Sequence, residues 1–243
     1  MDQSQDQRQT VVTHLLALRN VLLISAGVIA AAFFLIFSVA SDWLMTLILQ
    51  PITDRGIDVI YTAMSEALTT KMKVSLIAAI VVSSPVIIWQ AWAFVKPALY
   101  ADERKAIRLL FFASVLLFLL GVVFCYGAVY MLAVDFFIVS GENLAVPMLS
   151  IDKYVSFLFG FVVPFGLAFE LPVVFYVTTR MGLTNHQMLA SKRKFIILAV
   201  AIIAAILTPP DVVSQIMLGI PILLLFELSL LICRWVKPRS HEE

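Results

Sequence analysis

Six apolar runs account for most of this chain, and four of them carry no charged side chain at all. They are residues 21–41, 74–95, 109–134, 154–179, 195–207 and 212–233; the fourth contains Glu170 and the sixth contains Glu227. A helix needs roughly 18–20 consecutive apolar residues to cross a hydrocarbon core about 30 Å thick, so five of the runs have the length of a membrane helix. The fifth is shorter, 13 residues before Thr208-Pro209-Pro210-Asp211, or about 20 Å at 1.5 Å per residue. A hairpin built on it must thin the bilayer or rest on neighbouring helices. Paired prolines stop a helix there, and Asp211 is placed to cap the next one. The expected fold class is therefore all-α: a polytopic membrane protein with six transmembrane helices in one membrane domain over residues 1–243, the last two spans short.

Composition excludes most alternatives. Hydrophobic residues make up 62% of the chain and charged residues 14%, against about 45–50% and about 25% in soluble domains. That argues against a water-soluble enzyme and against collagen-like or disordered chains. A net charge of +1 gives no basic stripe for nucleic acid. The first 20 residues are polar, with no short apolar core or small-residue cleavage site, so the first run is expected to stay in the membrane. Orientation follows from Lys and Arg in the connections. With the N-terminus inside, 13 of the 17 fall on the cytoplasmic side and four (Arg55, Lys71, Lys73, Lys153) outside, which places both termini in the cytoplasm. Cys125 and Cys233 then lie at different depths and are expected to be free thiols. Residues 43–49, with Trp43, read as a helix extension or a surface-lying segment.

Chemistry-bearing residues are few. Glu170 lies near mid-membrane between Pro164 and Pro172, each of which removes a backbone donor. A carboxyl at a helix centre costs about 2.5–3.5 kcal/mol on insertion scales, so it must face protein or water. Either it serves a polar, water-reachable site or it is a protonated structural contact. Glu227 is a second intramembrane acid, readable as a proton carrier or as a local interhelical bond. Asp102 and Glu103 present adjacent carboxylates, either to a guanidinium or simply to a helix start. His14, His186 and His241 have no ligand spacing between them, and neither a hydrolase elbow nor a phosphate loop occurs. No catalytic constellation, metal site or cofactor is expected.

Several segments together resemble the TatC family. They are Ser84-Pro85-Val86-Ile87-Ile88-Trp89-Gln90-Ala91-Trp92-Ala93-Phe94-Val95-Lys96-Pro97-Ala98-Leu99-Tyr100 with Glu103-Arg104, then Phe169-Glu170-Leu171-Pro172, Thr208-Pro209-Pro210-Asp211-Val212-Val213-Ser214-Gln215, and His14-Leu15-Leu16-Ala17-Leu18-Arg19. The resemblance covers essentially the whole chain. It implies the multispanning receptor of a twin-arginine translocase, which uses the proton gradient to export folded proteins across the bacterial inner membrane. It also implies signal-peptide binding at Arg19, Phe94 and Glu103. One position departs from the pattern: Ala17 stands where the family has a Glu, and Asp102 is a candidate substitute for that acid. Implied partners are TatB- and TatA-type single-span proteins, twin-arginine precursors, further copies of the chain and membrane lipid. Partner docking is expected at Thr208, Asp211, Ser214 and Gln215, whose polar groups the short hairpin draws into the membrane; the other reading is that Thr208 and Ser214 only cap the turn while Gln215 bonds within the chain. The alternative is a proton-coupled solute carrier relaying through Glu170 and Glu227, although such carriers commonly show internal repeats and none is evident here.

Overall fold

The computed structural model describes the backbone of residues 3–95, 104–141, 148–208 and 211–236, and side chains within 16–94, 108–141, 148–208 and 211–236. Ten α-helices follow in order: α1 Gln3–Val39, α2 Ser41–Thr53, α3 Glu66–Val95, α4 Arg104–Phe124, α5 Met131–Gly141, α6 Ile151–Ala168, α7 Leu171–Arg180, α8 His186–Ser191, α9 Arg193–Leu207 and α10 Val212–Trp235. A π-helical turn, Cys125–Tyr130, joins α4 to α5. Five helical segments are long and apolar enough to cross a membrane: Leu16–Val39, Glu66–Phe94, Arg108–Gly141, Ile151–Arg180 and Val212–Trp235. The fifth apolar run becomes α9, whose 15 residues extend about 22 Å.

Prolines shape these helices, and the structure supplies substitutes for the hydrogen bonds they remove. Pro85 has no N–H for the Val81 carbonyl, and the Ser84 hydroxyl donates to that oxygen instead, at 2.7 Å. Pro51 likewise deprives Leu47, and the Tyr126 hydroxyl of the π turn donates to the Leu47 carbonyl at 3.2 Å. The rule in both cases is that an orphaned carbonyl in an apolar setting finds another donor. The apolar stretch 43–49 falls within α2, a separate helix. It turns Ser41, Met45, Ile48 and Ile52 inward and leaves Trp43 exposed.

The core sits where α3, α4 and α6 meet, with α1 laid along α3 and α10 against α7, α8 and α9. Tyr130, Phe161, Phe165 and Leu218 are fully buried within it. The Tyr130 hydroxyl donates to the Tyr154 carbonyl and the Tyr154 hydroxyl to the Ile48 carbonyl, both at 3.1 Å, tying α2, the π turn and α6 together. Glycines allow the closest approaches. A Cβ on Gly160 of α6 would lie 2.5 Å from the Leu207 carbonyl oxygen at the end of α9, so the short hairpin rests directly on α6. Cys125 and Cys233 are free and buried.

The sequence gives no hint of two features at the end where α3 begins. Residues Val59–Ile60 (β1) and Leu149–Ser150 (β2) pair in parallel, Val59 opposite Leu149 and Ile60 opposite Ser150. Beside them Glu66, only 6% exposed, accepts from the Thr62 backbone N–H, the Thr62 hydroxyl (2.8 Å) and the Ala63 N–H (3.2 Å). It also accepts from the Ser150 hydroxyl and the Asp152 N–H (3.1 Å). One carboxylate thus caps the starts of both α3 and α6. Lys73 adds an ion pair to Asp152 and a 2.9 Å bond to the Ser156 hydroxyl. Lys71 pairs with Asp42, and Arg55 with Asp135 at 2.8 Å.

Candidate functional site

Glu170 occupies a break in a helix that would otherwise be continuous. Pro172 stands in the first turn of α7 and cannot donate to the Ala168 carbonyl, so α6 ends at Ala168. The Glu170 N–H turns to Leu167 (3.1 Å), and the Glu170 carbonyl restarts the helix by accepting from Val173 (3.1 Å) and Val174 (2.9 Å). Close packing fixes the break against α4. A Cβ on Gly121 would lie 2.8 Å from the Phe169 ring, and one on Gly166 would lie 2.7 Å from Phe118. Phe124 packs on Phe165 and Phe169, with ring centroids 6.0 and 5.7 Å away.

Two residues that sequence reasoning did not single out complete this locus. The Ser114 hydroxyl of α4 is within hydrogen-bonding reach of the Glu170 carboxyl, and the Trp92 indole N–H of α3 donates to the Ser114 oxygen at 3.4 Å. Glu170 Oε1 is buried and has no hydrogen-bond partner among the described residues. Ser114 is the one hydroxyl residue in the uncharged 109–124 stretch, and that was the available signal. Three helices therefore converge on one carboxyl with acceptor capacity to spare. In apolar surroundings an unused acceptor is costly, so an incoming N–H or O–H donor gains more there than it would in water.

The other candidates are placed differently. Arg19 is exposed on α1 and Phe94 half-buried near the end of α3. The start of α1 and the end of α3 lie at one end of the bundle, since the two helices pack together and Lys71 near the start of α3 pairs with Asp42 just beyond the end of α1. Asp102 and Glu103 lie outside the described residues. Glu227 is ion-paired with Arg193 of α9 (Nη2–Oε2 2.7 Å), both about half exposed. That fits the interhelical bond among the two sequence readings, and it removes the free carboxylate a relay would need.

The polar groups of the hairpin turn have partners within the chain. Thr208 donates to the Ala204 carbonyl (2.9 Å), and Asp211 Oδ1 accepts from the Ser214 N–H (2.7 Å). The Ser214 hydroxyl bonds Asp211, and Gln215 Nε2 donates to the Ala201 carbonyl at 2.9 Å. Asp211 does cap α10. The acceptors are two main-chain carbonyls and the Asp211 carboxylate of the same hairpin, so unsatisfied polarity is not what would draw a partner to this turn.

Comparison with known proteins matches this architecture. Residues 13–221 fit the family model described as Sec-independent protein translocase protein (TatC). The TatC protein of Carboxydothermus hydrogenoformans is 38% identical over 237 residues, covering 97% of each chain. That of Escherichia coli K12 is 33% identical over 245 residues, 99% of this chain and 95% of the relative. A crystal structure of the twin-arginine translocase receptor TatC superposes with a TM-score of 0.85 at 37% identity, covering 91% of this chain and 98% of that one. A multi-pass helical membrane chain that matches the family model over most of its length leaves no ambiguity about kinship: it belongs to the TatC family of Sec-independent protein translocase components.

Proposed function

We propose that this chain is the receptor for twin-arginine signal peptides and the core of a proton-gradient-driven translocase in the bacterial inner membrane. In this reading α9 is a sixth, short span, both termini are cytoplasmic, and TatA- and TatB-type single-span proteins dock beside the α9–α10 hairpin. Arg19, Phe94, Glu103 and Asp102 form the cytoplasmic reception site for the paired arginines, whose fixed donor forks suit carboxylates. Glu170 receives a polar group of the inserted signal peptide or of a partner helix. The observation that carries the reading is the buried Glu170 oxygen without a partner, set in a helix break and flanked by Ser114 and Trp92. Such a group is an acceptor held ready for a donor brought in from outside the chain.

The test is photo-crosslinking to a twin-arginine precursor, with a twin-lysine precursor as control. Wild type should crosslink the first preferentially. Glu103→Gln should weaken that signal more than Asp102→Asn, and Ala17→Glu should strengthen it. Equal labelling of the two precursors would overturn the receptor reading.

A further inference from the structure

At the opposite end of the bundle from Glu66, the corner where α8, α9 and α10 meet carries a concentration of positive charge above bare hydrocarbon-facing surface. Leu189 of α8, Ile196 of α9 and Phe226, Leu230 and Cys233 of α10 pack into one small apolar cluster; Lys192 and Lys194 lie between Leu189 and Ile196 along the chain and Arg234 follows Cys233, which places all three at this corner. Among the described residues, α8, α9 and α10 hold a single acid, Glu227, and it is taken by Arg193 at 2.7 Å. Lys192, Lys194 and Arg234 are all exposed. The Lys192 ammonium lies 5.5 Å over the Phe195 ring, which positions its head without neutralising it. Trp235, 80% exposed beside Arg234, is the amphipathic ring that settles at headgroup level. Away from this level, Leu198 and Ile202 on α9 and Leu224, Leu228 and Leu231 on α10 are exposed, offering acyl-chain contact along both helices.

We propose that this corner is a binding site for one anionic phospholipid, its phosphate held by Lys192, Lys194 and Arg234 and its acyl chains lying along α9 and α10. Charge complementarity selects the occupant, because three cations without an acidic partner among the described residues favour a net-negative head over a zwitterionic one. The exposed apolar side chains directly above favour a ligand with tails over a soluble anion. The length of α9 adds to this. About 22 Å of helix brings the headgroup plane inward to meet its basic end. The inference does not depend on signal-peptide recognition.

The experiment is native mass spectrometry of the delipidated full chain in neutral detergent, titrated separately with phosphatidylglycerol, phosphatidylcholine and inorganic phosphate. Wild type should bind one phosphatidylglycerol about tenfold or more tightly over phosphatidylcholine, since each cation near an anionic surface contributes to attraction. The triple variant Lys192→Gln, Lys194→Gln, Arg234→Gln should lose that preference. A control variant, Arg55→Gln, Lys71→Gln, Lys153→Gln, removes as many cations from the other end and should keep it; circular dichroism confirms that both variants remain helical. Retained preference in the first variant, or equal loss in both, would overturn the site. Displacement of the lipid by millimolar inorganic phosphate would show an anion site in place of a lipid site and would overturn it as well.

Discussion

Replacing Gly160 by Ala tests whether the short hairpin is held up by α6. The added Cβ would sit 2.5 Å from the Leu207 carbonyl oxygen, whereas ordinary contact begins near 3.4 Å, so α6 and the end of α9 must separate by about 0.9 Å. The atom met is main chain, which cannot rotate aside as a flexible side chain would. Overpacking of this kind typically costs about 1–3 kcal/mol. Opposing it is the helix-propensity gain of Ala over Gly, about 0.8–1 kcal/mol. Gly27→Ala supplies that second quantity by itself, because Gly27 lies within α1 with nothing inside 4 Å of the added Cβ. The difference between the two variants therefore isolates the steric cost. Thermal unfolding of both in the same detergent, at one fixed scan rate because membrane chains unfold irreversibly, should show Gly160→Ala melting below Gly27→Ala. At about 2–4 °C per kcal/mol for a chain of this size, the gap should be several degrees. Coincident melting temperatures would mean that α9 does not bear on α6 at this point.

Tyr126→Phe should destabilise by about 0.5–1.5 kcal/mol, the net worth of one hydrogen bond, because it strips the donor that Leu47 receives in place of Pro51. Pro51→Ala restores a backbone N–H, so the double variant should lose most of the Tyr126→Phe penalty, and a purely additive double-mutant cycle would refute the compensation. Glu66→Gln should lower the melting temperature at pH 7, because an amide cannot accept all the bonds from Thr62, Ala63, Ser150 and Asp152 that join the starts of α3 and α6; an unchanged melting temperature would refute the cap.

What could be read from the sequence was whatever depends on neighbours along the chain. Hydropathy located the apolar helices, and Pro172 and the Pro209-Pro210 pair marked the interruptions, because a missing N–H acts within one helical turn; Pro164 lies within α6 without ending it. Asp211 was legible as a cap for the same reason. What escaped depends on residues brought together from far apart. Nothing local to Tyr126 shows that its hydroxyl will meet the Leu47 carbonyl 79 residues earlier, nor that Glu66 will cap a helix starting 85 residues later. Arg193 counted as a loop charge until α9 and α10 paired and brought it to Glu227. Sequence left open whether the polar side chains of the 208–215 turn bond within the chain, because the carbonyls that take Thr208 and Gln215 belong to residues that read as plain Ala. Ser114 and Trp92 joined Glu170 only through the meeting of three helices.

The distribution of the long-range bonds bears on how such a chain could take up a ligand. Side-chain bonds that cross 79 to 106 residues of sequence (Lys73 to Asp152 and Ser156, Tyr126 to Leu47, Glu66 to Ser150 and Asp152, Tyr154 to Ile48) gather at the end where α3 and α6 begin. Toward the basic end the side-chain bonds among the described residues include Thr179 to Cys233 across 54 residues, Cys233 to the Phe175 carbonyl across 58 and Arg193 to Glu227 across 34. The bonds at the Glu66 end tie together more distant stretches of the chain than these do. Glu170 stands between the two ends, on the last turn that packs tightly against α4 and ten residues before Arg180. The chain is broken at Glu170, with α6 before the break packed on α4 and α7 after it packed on α10, so the unused acceptor sits between two held segments. Under the function proposed above, one donor meeting Glu170 would specify binding there, and the apolar residues around that donor would need only to fit the surface beside it.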